Sequence, residues 1–185
     1  MLGCIVVFIN SCNSLISVKF GTHKLRSTTM AEIEQNGLGD ADFVEITDAH
    51  LPGKFIHAPG TKKEDGGLII YPILSESQFQ EFEAGKKAKT PVMAWTDTFE
   101  WDCLKEKNCA PKGKTNLKGV IRAIFPEKDK SSEFSNEFQL ASPPVFMEVG
   151  RAPTAWYIHL LFMLLTAGSV LAIEVWRLKR GKINE

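Results

Sequence analysis

The sequence predicts an α+β protein, a small β-barrel or OB-like domain flanked by N- and C-terminal transmembrane helices. Three observations predict it. Apolar residues are concentrated at the two ends of the 185-residue chain. The middle breaks into short runs of alternating or continuous apolar residues separated by turn residues, the pattern of strands. One short helix falls after the third of these runs, where a five-stranded OB-type barrel carries its helix.

Charge narrows the function classes. The chain carries 22 basic and 22 acidic residues, so no net field draws it to nucleic acid, and none is expected as a partner.

The elements follow in order. Residues 1–20 contain "LGCIVVFINSCNSLISV" (Leu2–Val18), an apolar run interrupted by Asn10, Asn13 and three serines. It suits a short first membrane helix. A signal peptide wants a basic region ahead of the run, and none precedes Leu2. Cys12 after "INS" fits a lipoprotein signal only loosely. The run begins at the second residue, as a longer helix clipped at its start also would.

Residues 27–141 read as the β-rich domain. "TTMAEIEQNG" is a short helix, with Thr29 and Glu32 at capping-box spacing and Gly37 at its end. "GDADFVEITDAHL" alternates, with Val44 and Ile46 on one face and Phe43, Glu45 and Thr47 on the other. "GKFIHA" is a short strand. "GLIIYPIL" is apolar throughout, so it should be central and well buried. "SESQFQEFEAG" is a helix capped by Ser75 and Gln78, with Phe79 and Phe82 toward the core and Gly85 at its end. "TPVMAW", "TFEWDC" and "LKGVIRAIF" read as further strands. "PEKDKSSEFSNEF" and "SPP" read as a polar loop and tether, the tether covering residues 142–153.

The C-terminal run "AWYIHLLFMLLTAGSVLAIEVW" lies in a predicted membrane helix at residues 154–177, followed by a tail at 178–185. At ~1.5 Å per residue it spans roughly 30 Å, a bilayer's hydrocarbon thickness. Trp156, Tyr157 and Trp176 stand where aromatic belts belong. Arg177, Lys179, Arg180 and Lys182 follow, and the positive-inside rule puts that end in the cytoplasm or an organelle matrix. Lys19, Lys24 and Arg26 argue the reverse for the first helix. The C-terminal segment is the cleaner one, and the middle domain is expected to face the periplasm or an equivalent extracytoplasmic space.

Candidate chemistry is sparse. Cys103 and Cys109 are too far apart for a redox CxxC motif, and on the oxidising side of a membrane such a pair closes a small structural loop. Asp40, Asp42, Glu45 and Asp48 lack the spacing of a calcium loop, because Phe43 and Val44 break it. His50 and His57 could meet across a hairpin and, with Asp48, hold a metal; plain surface or core histidines are the blander reading, and no metal or cofactor is expected. His159 and Glu174 are ionisable groups within the membrane helix, where such groups are functional candidates, though each lies near an end. Gly168 and Ala172 have the small-xxx-small spacing that lets a partner helix approach. No nucleophile, phosphate-loop or dinucleotide motif is present, and nothing argues for an enzyme.

The stretch "TMAEIEQNGLGDADFVEITDAHL", Thr29–Leu51, resembles a segment of uncharacterised bacterial membrane proteins that carry two membrane helices around a small β-rich domain. The resemblance implies an architecture and no activity. The layout is similar to that of two-helix assembly factors, an analogy of fold alone. The expected role is a non-catalytic accessory or assembly subunit, with the lipid bilayer and other membrane protein subunits as partners. The alternatives are an envelope module presenting its β domain to a ligand and, third, a membrane-bound enzyme.

Overall fold

The structure is a computed structural model that describes residues 2–58, 67–122 and 138–181. It divides into two units, Leu25–Ala152 and a helical unit of Met1–Lys24 with Pro153–Glu185.

In the first unit the described elements are β1 (Arg26–Thr28), α2 (Met30–Asn36), β2 (Phe43–Pro52), β3 (Ile56–Ala58), β4 (Leu68–Ile73), α3 (Glu76–Glu83), β5 (Ala88–Thr96), α4 (Asp102–Glu106), β6 (Lys112–Ile121) and β7 (Phe138–Val149). The seven described strands form one mixed sheet in the order β1-β2-β6-β7-β5-β4-β3. β1–β2 and β5–β7 are parallel and the other neighbours antiparallel.

The fold is therefore α+β, but the expected barrel is corrected: the sheet does not close on itself, and β1 and β3 stand at the two ends of the described strand order. A single bridge between His50 and Leu74 brings β2 against β4, through two backbone hydrogen bonds of 2.9 and 3.0 Å. One isolated bridge does not make a ladder.

The alternation of β2 explains how the sheet curls. Val44 and Ile46 enter the main core cluster, and so do Ala49 and Leu51. That switch from even to odd positions needs one extra residue, and the register with β6 slips between Ile46 and Ala49. A bulge of this kind raises the twist and re-aims side chains. It turns Asp48 toward α2, where its carboxylate accepts the Met30 amide at 2.7 Å. The Thr29–Glu32 capping box forms at the same end. The Thr29 amide and Thr28 hydroxyl hold the Glu32 carboxyl below its usual range.

β4 is buried on both faces, which is why it reads as a continuous apolar run. Ile69, Tyr71 and Ile73 join the main cluster; Ile70 and Leu74 join a second one with Met93 and Phe138. It is not central in the sheet, however, but next to the β3 edge. Its outer cluster is covered by α3, whose Phe79 and Phe82 pack there, with Phe82 stacked on Phe138 at 5.1 Å. Ser75 and Gln78 form the expected capping box, and the Gln78 side-chain Nε2 also donates to the Lys89 carbonyl.

Three further expectations change. "TFEWDC" is not a strand: it turns into α4, a five-residue helix. The last strand begins earlier than "LKGVIRAIF" suggests, at Lys112, and its described part ends at Ile121. The tether is largely strand, since β7 runs through "SPP" to Val149. Prolines donate no ladder hydrogen bond and are confined in sheets to edges and bulges. Pro143 and Pro144 meet that rule, because the β5–β7 register jumps from Thr90–Leu140 to Val92–Val145. The stretch 126–137, expected as polar loop, lies outside the described residues.

In the helical unit, α1 (Leu2–Phe20) and α5 (Trp156–Gly181) pack together. Trp156–Arg180 is long and apolar enough to cross a membrane. The apolar part of α1, Gly3–Val18, is shorter than that, as the short first helix of the sequence reading is, and falls below spanning length.

Candidate functional site

The predicted helix residues separate into two faces. The half-buried positions of α5 include His159, Met163, Thr166 and Val170, spaced four, three and four apart. That spacing makes one stripe of a helix. It faces α1, whose Cys12 thiol donates to the Met163 sulfur at 3.5 Å. Gly168 and Ala172 lie exposed on the opposite side, and a Cβ added at Gly168 would meet nothing within 4 Å. The small pair therefore does not serve the α1 contact. Glu174 pairs with Arg177 at 3.6 Å, and Arg180 covers the Trp176 ring at 3.8 Å.

The acids and histidines of the opening of the domain go to separate partners. Asp40 pairs with Arg26 at 2.7 Å and Asp48 serves α2. His50 is buried with its ring 5.6 Å from Phe79, while His57 sits edge-on to Phe99 and Trp101 at 5.8 and 6.2 Å. The structure does not bring Asp48, His50 and His57 to one point as a ligand set.

Glu148 is the buried charge of the sheet. Its side chain is 3% exposed, between Arg122 and Arg151, each 2.8 Å away. Arg151 also reaches Asp97 at 3.5 Å. The Arg122 contact is a close ion pair without hydrogen-bond alignment, so Oε2 takes charge compensation but no directed proton. This cluster joins β6, β7 and the end of β5, and it has the form of a structural clamp rather than a reactive pair.

The most site-like feature surrounds the disulfide loop. Cys103 and Cys109 are bonded, with α-carbons 4.8 Å apart. The loop is built locally. The Thr96 hydroxyl accepts the Thr98 amide at 3.1 Å and turns the chain out of β5. α4 follows, with Lys105 paired to Asp102. Lys107 ends it at φ 55°, a left-handed conformation, and donates its amide to the Cys103 carbonyl. Asn108 donates its amide to the same carbonyl at 3.1 Å. The bond thus locks a turn whose backbone is already closed on Cys103.

A cavity of about 960 Å³ lies beside the loop. Lys54, His57, Lys107, Asn108 and Lys112 line it, with Phe55, Ile56, Leu104 and Ala110 as apolar wall. Gly53 sits at φ +74°, and a Cβ there would lie 3.4 Å from the Lys112 Cβ, so the bare backbone lets the lysine stem lie over the turn. A smaller cavity of about 410 Å³ is bordered by Tyr71, Thr96, Glu100 and the two half-cystines. Burial pushes the Tyr71 hydroxyl up to about 12. The sequence did carry a signal for the larger cavity, the lysines of "CLKEKNCAPKGKTNLKG", but not the turn at Pro52–Lys54 that meets them.

No family model, no curated protein and no solved structure matches the chain.

Proposed function

We propose that this chain is a non-catalytic, membrane-anchored accessory or assembly subunit that docks on a larger membrane complex. The observation that carries this reading is the free face of α5. A helix of spanning length already holds α1 on one side and offers Gly168 with open space on the other. In lipid, helices gain little hydrophobic drive from each other, and close backbone approach over small residues supplies the packing. The extracytoplasmic placement of the β domain is supported by Arg177, Lys179 and Arg180 at the end of α5 and by the disulfide, which persists in oxidising compartments. An OB-like description of the domain, left open at one seam, is supported by the His50–Leu74 bridge across β2 and β4.

The test is association in mild detergent. Gly168→Leu is expected to release the partner complex, seen as a loss of the high-mass species on native electrophoresis. The control keeps the position small, so Gly168→Ala, whose added Cβ meets nothing within 4 Å, should leave the species intact. If Gly168→Leu also leaves it intact, α5 is a passive anchor. Orientation is read separately: a cysteine at the exposed Asn116, with Cys4 and Cys12 replaced by serine, should react with an impermeant thiol reagent in intact cells.

A further inference from the structure

We infer that the cavity beside the disulfide loop binds an anionic amphiphile, with a phosphate or carboxylate head held by Lys107 and Lys112 and an apolar body laid on Phe55, Ile56 and Leu104. The inference is independent of the subunit reading, because it concerns the β domain alone.

Pairing is the first argument. Some charged groups of the described residues are paired, Arg26 with Asp40, Lys105 with Asp102, Arg122 and Arg151 with Glu148, and Arg177 with Glu174, while others, such as Lys86 and Lys114, are solvated surface charges outside the cavity. The ammonium groups of Lys107 and Lys112, both exposed, make no ion pair or hydrogen bond among the described residues. Lys54 and His57 have contacts of their own and are not counted among the head-group ligands. No carboxylate is among the described residues lining the cavity, although the chain as a whole is neutral. Cations gathered on a concave wall repel each other until an anion enters, and low-dielectric walls strengthen the attraction for it.

Shape is the second argument. A volume of about 960 Å³ is far larger than an inorganic ion and lies at the upper end of small-molecule sites. Phe55, Ile56, Leu104 and Ala110 give the remaining wall an apolar surface that a bare phosphate would leave unused. Lysine ammonium groups are point donors without the fork geometry of arginine, so they suit a round phosphate or a carboxylate equally. The plain reading of Lys107 is that it complements the C-terminal end of the α4 dipole. That accounts for one charge, but not for Lys112, which enters from β6 over Gly53.

The experiment uses the full chain in neutral lipid discs, with hexyl phosphate, inorganic phosphate and hexyltrimethylammonium as probes. Calorimetry measures binding, and Trp101, 6.2 Å from His57, reports it by fluorescence. Hexyl phosphate is expected to bind saturably, at least tenfold tighter than inorganic phosphate, and the cationic probe not at all. The double variant Lys107→Gln/Lys112→Gln should weaken hexyl phosphate at least tenfold. Lys114→Gln, exposed on β6 outside the cavity, should not change it. Repeating the titration in discs with anionic phospholipid assigns the source: competition identifies a lipid head group, and unchanged binding a soluble ligand. No saturable binding, equal binding of inorganic phosphate, or indifference to the double variant overturns the inference. An unchanged unfolding midpoint of the double variant excludes misfolding as the cause of a loss.

Discussion

Gly119→Ala should be among the most damaging single substitutions in the β domain. Gly119 faces Val149 where β6 meets β7, a pairing that covers three residue pairs among the described residues. A Cβ there would lie 2.2 Å from the Glu148 carbonyl oxygen and 2.9 Å from its carbon. Carbon and oxygen normally approach no closer than about 3.3 Å, so the methyl is roughly 1 Å too deep. The obstacle is backbone of the neighbouring strand, not a side chain that could rotate away. Relief requires β6 and β7 to part, which strains hydrogen bonds worth about 0.5–1.5 kcal/mol each and shifts Glu148 against its arginines. Overpacking alone costs about 1–3 kcal/mol, and the sum points to about 3 kcal/mol or more. The comparison is Gly85→Ala, where φ is +76° but the space is open, so the cost is only the left-handed conformation, about 1–2 kcal/mol. Denaturant unfolding of the full chain in neutral detergent, followed by tryptophan fluorescence, measures both. A loss for Gly119→Ala no greater than for Gly85→Ala would refute the steric argument.

Replacing Cys103 and Cys109 with serine should lower stability by about 2–3 kcal/mol, the loop-closure value for so short a ring, in the same unfolding assay. Tyr71 gives a pH prediction. Its folded pKa is raised from 10.0 to about 12 by burial, so its contribution is complete below pH 10 and is lost as pH rises toward 12. Two units correspond to about 2–3 kcal/mol; Tyr71→Phe should flatten that alkaline loss of stability. Asp48→Ala removes the acceptor of the Met30 amide and should cost about 1 kcal/mol, with faster hydrogen exchange confined to α2.

Local features were legible in the sequence because their causes are local. The capping boxes at Thr29–Glu32 and Ser75–Gln78 involve side chains three residues from the amides they satisfy, and both form. The length and flanks of α5 follow from composition alone. The buried run of β4 was legible as buried, since two apolar faces leave no alternation to read. Its place beside the sheet edge was not, because strand order depends on which distant segments pair. The same holds for β7. Its prolines argue against a strand in isolation, and only the bulge opposite Pro91 gives them a place without ladder donors. Asp48 read as one acid among four until a bulge in β2, defined by the β6 register, turned it onto α2. Gly168 and Ala172 were legible as a small pair, but only the packing of α1 on the other face showed which side of α5 remains open. Lys107 and Lys112 stand five residues apart in sequence and Lys54 over fifty residues before them, and what joins them is the closure of the disulfide loop against the turn after β2.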